Sequence, residues 1–201
     1  MQNVQEPLKV FISYSHKDKR LKDKLITHLN SLIRQKYICL WYDNMISPGK
    51  EINEEIMKAL HSSQIVLLLL SADYLSSNYC YQEEMQEAMR LRRENNLVVI
   101  PIILREVDLK GTPVDNLSSL PEDRKAVTQY RNEDTAFKNI ADGVRSAVEK
   151  WFHESVSNLN NNISKSSSIG DEKKKGIPLQ YNYGFQFNGT IINGGTFEIK
   201  K

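Results

Sequence analysis

The chain has 201 residues, 40% of them hydrophobic and 26% charged, with a formal net charge of +2. That is enough for one domain with some length left over and for a real core, and no face or tract gathers the basic residues an electrostatic nucleic-acid binder needs. The two cysteines, Cys39 and Cys80, make no disulfide framework and fit a reducing compartment.

The opening residues, MQNVQEPLKVFISYS, lack the basic-then-apolar layout of a signal peptide. The longest apolar run, Ile65 to Leu70, is too short to span a bilayer. A soluble, cytoplasmic protein with no membrane partner is the expectation.

From Leu8 onward strand and helix patterns alternate. LKVFISY is β-branched and aromatic, a strand; Leu21, Leu25, Leu29 and Leu32 then recur at helical spacing within Lys17–Arg34. YICLWY is a second strand, ending at Asp43 and the loop NMISPGK. Glu51 to His61 is a helix opened by acidic residues that suit its N-terminal dipole. QIVLLLLS is an apolar run of strand length, typical of a parallel sheet covered on both faces. NYCYQEEMQEAM begins a helix reaching about Asn95, LVVIPIIL is another buried strand, and KAVTQY is a short fifth. Thr135 to Trp151 closes the pattern as a helix with Phe137, Ile140, Ala141, Val144 and Val148 on one face. Five strands alternating with helices predict an open, mostly parallel α/β sheet, with any site outside the carboxyl ends of the strands, where Tyr14, Asp43 and Ser71 fall.

Composition changes past Phe152. Residues 153–176 are polar, low in complexity and nearly free of aromatics, a flexible linker by composition; its Lys173–Lys175 run reads as solvated. Residues 177–201 differ again: Tyr181, Tyr183, Phe185 and Phe187 alternate strictly, and Asn188-Gly189 and Asn193-Gly194-Gly195 are turn signals. Four aromatics on one face of an isolated hairpin would be exposed, so this tail calls for a partner surface.

Several chemistries are excluded. The segment after the first strand has no glycine, hence no phosphate loop or dinucleotide fingerprint, and there is no GxSxG elbow. His16, His28, His61 and His153 have no metal-ligand spacing with a cysteine. A phosphoacceptor receiver needs paired acids where Ser13-Tyr14-Ser15 stands.

What remains is a carboxylate. On a helical wheel with Tyr81 at the origin, Met85 lies at about 40° and Ala88 at about −20°. Met89 lies at about 80° and Leu91 at about −80° on the same wheel. Glu84 falls at about −60°, inside this apolar arc, and Glu83 at about 200°, on the opposite face. Arg92, at about 20°, breaks the pattern. An acid on a buried rim costs free energy unless paired. The residues alone leave two readings for Glu84: a boundary glutamate paired with a nearby Lys or Arg, or a site.

FISYSHKD, YDNMISPGKEINEEIMKAL and SADYLSSNYCYQEEMQEAM, followed by VIPIIL and a Pro-rich loop, resemble in order and spacing the boxes of the Toll/interleukin-1-receptor (TIR) domain family over residues 8–152. The resemblance implies a flavodoxin-like five-stranded parallel sheet with helices on both faces. It also implies one of two functions: signalling by TIR–TIR assembly without catalysis, as an adaptor or virulence factor, or cleavage of NAD⁺ at the nicotinamide–ribose bond to nicotinamide and ADP-ribose or a cyclic isomer. In the enzymes a glutamate on this helix is essential, and Glu84-Met85 matches its pattern where Glu83 does not. The family commonly has a Trp four residues earlier; here Cys80 stands there, so Tyr79 or Tyr81 would supply the aromatic wall.

The enzyme reading makes Glu84 catalytic and NAD⁺ a substrate, with no cofactor and no metal. Phe11, Ser13, Tyr14, Trp41, Asp43, Ser47, Tyr79 and Tyr81 would line the substrate site, and Ile46, Pro48 and Gly49 the assembly or lid loop, in a homo-oligomer built by TIR–TIR contacts. For Phe11, Tyr14 and Trp41 a core role is the competing reading. The tail resembles the short amyloid-type signalling motifs by which a sensor protein templates an effector; a hairpin on a folded partner and a disordered tail are the alternatives.

Overall fold

The computed structural model describes residues 6–46, 49–95, 97–166, 184–187 and 190–193. The chain divides into two units, residues 1–157 and 158–201.

The first unit is built on four parallel strands, β1 (Leu8–Tyr14), β2 (Ile38–Trp41), β3 (Ile65–Leu70) and β4 (Val98–Ile103), in the order β2-β1-β3-β4. The register pairs Val10 with Leu40 and Ile65, and Leu67 with Ile100. All six residues of β3 are fully buried, as its unbroken apolar sequence requires. Strand alternation sends Val10, Ile12, Leu67 and Leu69 to one face, covered by α1 (Lys19–Arg34) and α5 (Glu133–Ser166). Phe11, Val66, Leu68 and Leu70 go to the other, covered by α2 (Ile52–His61), α3 (Ala72–Ser76) and the helix ending as α4 (Gln86–Asn95).

Three sequence expectations are corrected. There is no fifth strand at Lys125–Tyr130. Leu120 makes one parallel bridge to Ile102, donating its N–H to the Pro101 carbonyl and accepting from Ile103 N–H, both at 2.8 Å. Pro121 follows and has no N–H to continue a ladder. Val127–Gln129 instead forms a 3₁₀ turn: Gln129 N–H donates to the Ala126 carbonyl, the preceding Ala126 N–H to the Gln129 side chain, and Thr128 N–H to the Leu104 carbonyl just past β4 at 3.1 Å. The closing helix does not stop at Trp151, and residues 153–166 of the expected linker are helical, because no proline or glycine interrupts them. The helix starting near Asn78 opens with a π-helical segment, Tyr79–Met85, before α4.

In the second unit, β5 (Gly184–Phe187) and β6 (Thr190–Asn193) pair antiparallel, Phe185 opposite Ile192, on either side of the expected Asn188-Gly189 turn. That turn and Tyr181, Tyr183, Gly194 and Gly195 lie outside the described residues.

An ionic network ties the carboxyl ends of β1, β3 and β4. Arg105 Nε donates to Asp18 Oδ1 at 2.7 Å and its Nη2 to Asp73, while Ser71 Oγ donates to Asp18 Oδ2 at 2.5 Å. Lys17 reaches Asp73 at 2.9 Å from an exposed position. The Asp18 side chain is 1% exposed. Arg105→Ala leaves that charge buried and unpaired, and is expected to cost about 3–5 kcal/mol. Lys17→Ala should stay within about 0.5 kcal/mol. Urea unfolding of both variants checks this; equal midpoints would contradict it.

Candidate functional site

The order β2-β1-β3-β4 puts a topological switch between β1 and β3, and open sheets bind ligands at the carboxyl ends there. β1 brings Ser13 to this point on the same face as Phe11. Ser71, at the end of β3, caps α3 by accepting the Tyr74 N–H at 3.1 Å, which turns Tyr74 inward. The Tyr74 hydroxyl and Ser13 Oγ then meet at 2.7 Å in the interior.

Over this pair lies Glu84, 6% exposed, while Glu83 is exposed. The π-helical winding sharpens the wheel argument. A turn closed five residues on rotates each residue by less than the roughly 100° of an α-helix. Cys80 is therefore buried beneath Glu84 and Met85, and Tyr81 is only half-buried. Past the segment, Leu91 is buried and Arg92 exposed, so Arg92 does not break the apolar face.

Burial pushes the Glu84 carboxyl up from 4.5 to about 7, and the Asp43 charge adds to the rise; a hydrogen bond with the Ser13 side chain works the other way. With Glu84 ionised, the Tyr74 hydroxyl donates to Ser13 and the Ser13 hydroxyl to Glu84. Among the described residues no Lys or Arg pairs with Glu84, so the boundary-glutamate reading fails on the structure.

The other expected residues divide. Phe11 and Trp41 stack at 5.2 Å between ring centroids, 14° from parallel, with Trp41 half-buried. Tyr79 is half-buried, and its hydroxyl is buried without a hydrogen-bond partner; burial and the Glu84 charge hold it up at about 12. Tyr14 points to the opposite face of the sheet from Ser13 and reaches Asp43, donating to Oδ1 at 2.9 Å. Its carbonyl accepts the Cys80 thiol at 3.5 Å. Ile46 is half-buried against the Phe11 side, and Gly49 holds φ of +87°, a backbone that suits glycine. Ser47 and Pro48 lie outside the described residues.

Sequence reading missed Tyr74, whose inward turn depends on the Ser71 cap, and Lys22. Lys22 sits three residues before Leu25 on the apolar stripe of α1, a signal that was available. A cavity of about 790 Å³ between residues 115–124 and α5, lined by Ser119, Leu120, Arg124 and Gly143 among others, contains none of the expected site residues. Among the described residues no cluster could hold a metal ion and no helix is long and apolar enough to cross a membrane.

A family model described as TIR domain matches residues 10–141. The uncharacterized protein y4lF of Sinorhizobium fredii is 43% identical over 139 residues, 69% of this chain and 43% of that protein. The probable disease resistance protein RPP1 of Arabidopsis thaliana is 33% identical over 142 residues, 71% of this chain and 10% of RPP1. Toll-like receptor 2 of Boselaphus tragocamelus is 32% identical over 107 residues, 51% of this chain and 13% of the receptor. The chain thus spans less than half the length of each of these relatives. The crystal structure of the TIR domain of the Toll-related receptor TRR-2 from Hydra magnipapillata shares the fold, with a TM-score of 0.51 at 19% identity, covering 68% of this chain and 97% of that one. With the family model matched across the sheet and the Glu84 helix, the chain belongs to the TIR-domain family.

Proposed function

We propose that this TIR domain cleaves NAD⁺ at the nicotinamide–ribose bond, with Glu84 as the catalytic residue. One observation carries the reading: a buried carboxyl without a cationic partner among the described residues, at the switch point of the sheet, with Tyr74 and Tyr79 near enough to feel its charge. The chemistry suits a single acid. Ordinary glycosidases need a second carboxyl to protonate the leaving oxygen. In NAD⁺ the leaving nitrogen is already cationic; the C1′–N bond breaks, its electron pair stays on nitrogen and nicotinamide departs neutral. The charge that develops on the ribose lies against ionised Glu84, and either water closes on C1′, releasing its proton to Glu84 or solvent, or a second nucleophilic atom of the substrate does.

In this reading the Phe11–Trp41 stack and Tyr79 wall the site, and the Tyr79 hydroxyl, unpartnered among the described residues, meets a polar group of the ligand. Assembly through TIR–TIR contacts around residues 46–49 raises activity, and the β5–β6 segment recruits the chain to a sensor, by amyloid-like templating or as a hairpin on a folded partner. The similarity to a disease resistance protein supports a place in defence or cell-death signalling. The second reading, an adaptor without catalysis, is favoured by the similarity to Toll-like receptor 2 and by Cys80 standing where a Trp is common.

Concentrated protein under crowding is expected to consume NAD⁺, followed by product separation. Glu84→Gln should lose at least about 100-fold in kcat/KM, and Glu83→Gln less than about twofold. Intact NAD⁺ throughout would favour the adaptor. Because the ionised carboxyl acts, kcat/KM is expected to climb as pH rises and to level off above about 7.

Stability should move the other way. The Glu84 carboxyl is raised in the fold, so between pH 4.5 and about 7 the folded protein holds a proton that the unfolded chain has lost. Relative to Glu84→Gln, its contribution is fully present below pH 4.5 and fades as pH rises through about 7, a loss of about 3 kcal/mol. Denaturant midpoints of the two proteins at pH 5 and pH 8 test this; a gap independent of pH would refute it.

A further inference from the structure

The fold takes Lys22 out of water: its side chain is 2% exposed. Removing an ammonium from water is unfavourable unless other groups replace its hydration. Its carboxylate partner is Asp23, half-exposed, with Oδ1 at 2.6 Å. Its other directions meet aromatic faces: Nζ lies 4.3 Å from the ring centroid of Tyr42 and 5.0 Å from that of Tyr14. A desolvated ammonium over a ring is held by the negative potential of the ring face.

Those rings stand at the carboxyl ends of β2 and β1. Tyr14 carries the arrangement onward. Its hydroxyl donates to Asp43 Oδ1 at 2.9 Å, an atom that also accepts the Asn44 N–H at 2.8 Å. Asp43 Oδ2 faces His16 Nε2 at 3.2 Å. The Asp43 charge is felt by Glu84, and the Tyr14 carbonyl takes the thiol of Cys80, which lies on the same π-helical segment as Glu84. Lys22, on α1, therefore lies on the Tyr14 face of the sheet, opposite the face that carries Ser13 and Tyr74.

We propose that Lys22 is a positioning residue: its buried ammonium clamps the Tyr14 and Tyr42 rings and thereby fixes the Tyr14 hydroxyl on Asp43 at the mouth of the site. Filling space alone would not require the charge, since methionine offers an unbranched chain of similar reach. The activity arm of the test rests on the NAD⁺-cleaving reading; the structural arm does not.

In protein labelled with ring-¹³C tyrosine, Lys22→Met and Tyr42→Leu are each expected to shift the Tyr14 ring resonance, and Lys22→Arg, which keeps the charge, to leave it in place. A Tyr14 resonance unmoved by either of the first two variants overturns the proposal, and should Lys22→Met not fold, Tyr42→Leu and Lys22→Arg decide. In NAD⁺ turnover, Lys22→Met should lose about tenfold in kcat/KM, Lys22→Arg should restore most of it, and Tyr14→Phe should add no further loss in the Lys22→Met background. Losses that multiply would show that Lys22 acts independently of Tyr14 and overturn it. A wild-type protein that leaves NAD⁺ intact removes the catalytic reading instead, and the tyrosine spectra alone then judge Lys22.

Discussion

Every residue of β3 is removed from water, and this constraint organises the rest of the first unit. A strand apolar on both sides must be covered on both sides, so α1 and α5 occupy one face and α2, α3 and α4 the other. With the faces closed, polar chemistry is confined to the ends of the strands. The order β2-β1-β3-β4 opens a crevice at one such end, between β1 and β3, and the Ser13–Tyr74 pair sits in it.

Three charged or chargeable side chains are buried near those ends, and the fold treats each differently. Asp18 receives a guanidinium and a hydroxyl, the arrangement of a structural ion pair. Lys22 receives two aromatic faces and a half-exposed carboxylate. Glu84 receives hydroxyl chemistry and a second negative charge nearby, and its carboxyl is driven up to about 7. The contrast separates roles. A carboxyl whose burial is offset by a hydroxyl and not by a cation stays raised, and its place at the switch point is what supports the proposed role.

Much of this could be read along the chain. The all-apolar IVLLLL run announced a doubly covered strand, and a wheel drawn on Tyr81–Leu91 separated Glu84 from Glu83 by sequence alone. The wheel succeeded although the segment is π-helical, because Glu84 lies only three residues from its origin at Tyr81, over which little register error accumulates. It put Arg92 inside the apolar arc, yet Arg92, near the end of α4, is exposed. KAVTQY failed as a strand because Gln129 and Ala126 bond each other within a 3₁₀ turn, while Pro121 stops the Leu120–Ile102 bridge from extending. Polarity suggested a linker from residue 153, whereas the absence of helix breakers decided for helix as far as Ser166.

By itself the sequence determined the parallel α/β class, the two-faced core and which of the paired glutamates faces inward. Those follow from periodicity and apolar content, which act over neighbouring residues. The tertiary structure alone decided that Glu84 has no cationic partner among the described residues, that Tyr74 rather than a sequence neighbour bonds Ser13, that Tyr14 faces away from Ser13 toward Asp43, and that Lys22 is buried against two rings. Each of these joins residues from different elements, and their distances exist only once β1, β2 and β3 have been laid side by side and their carboxyl ends brought together.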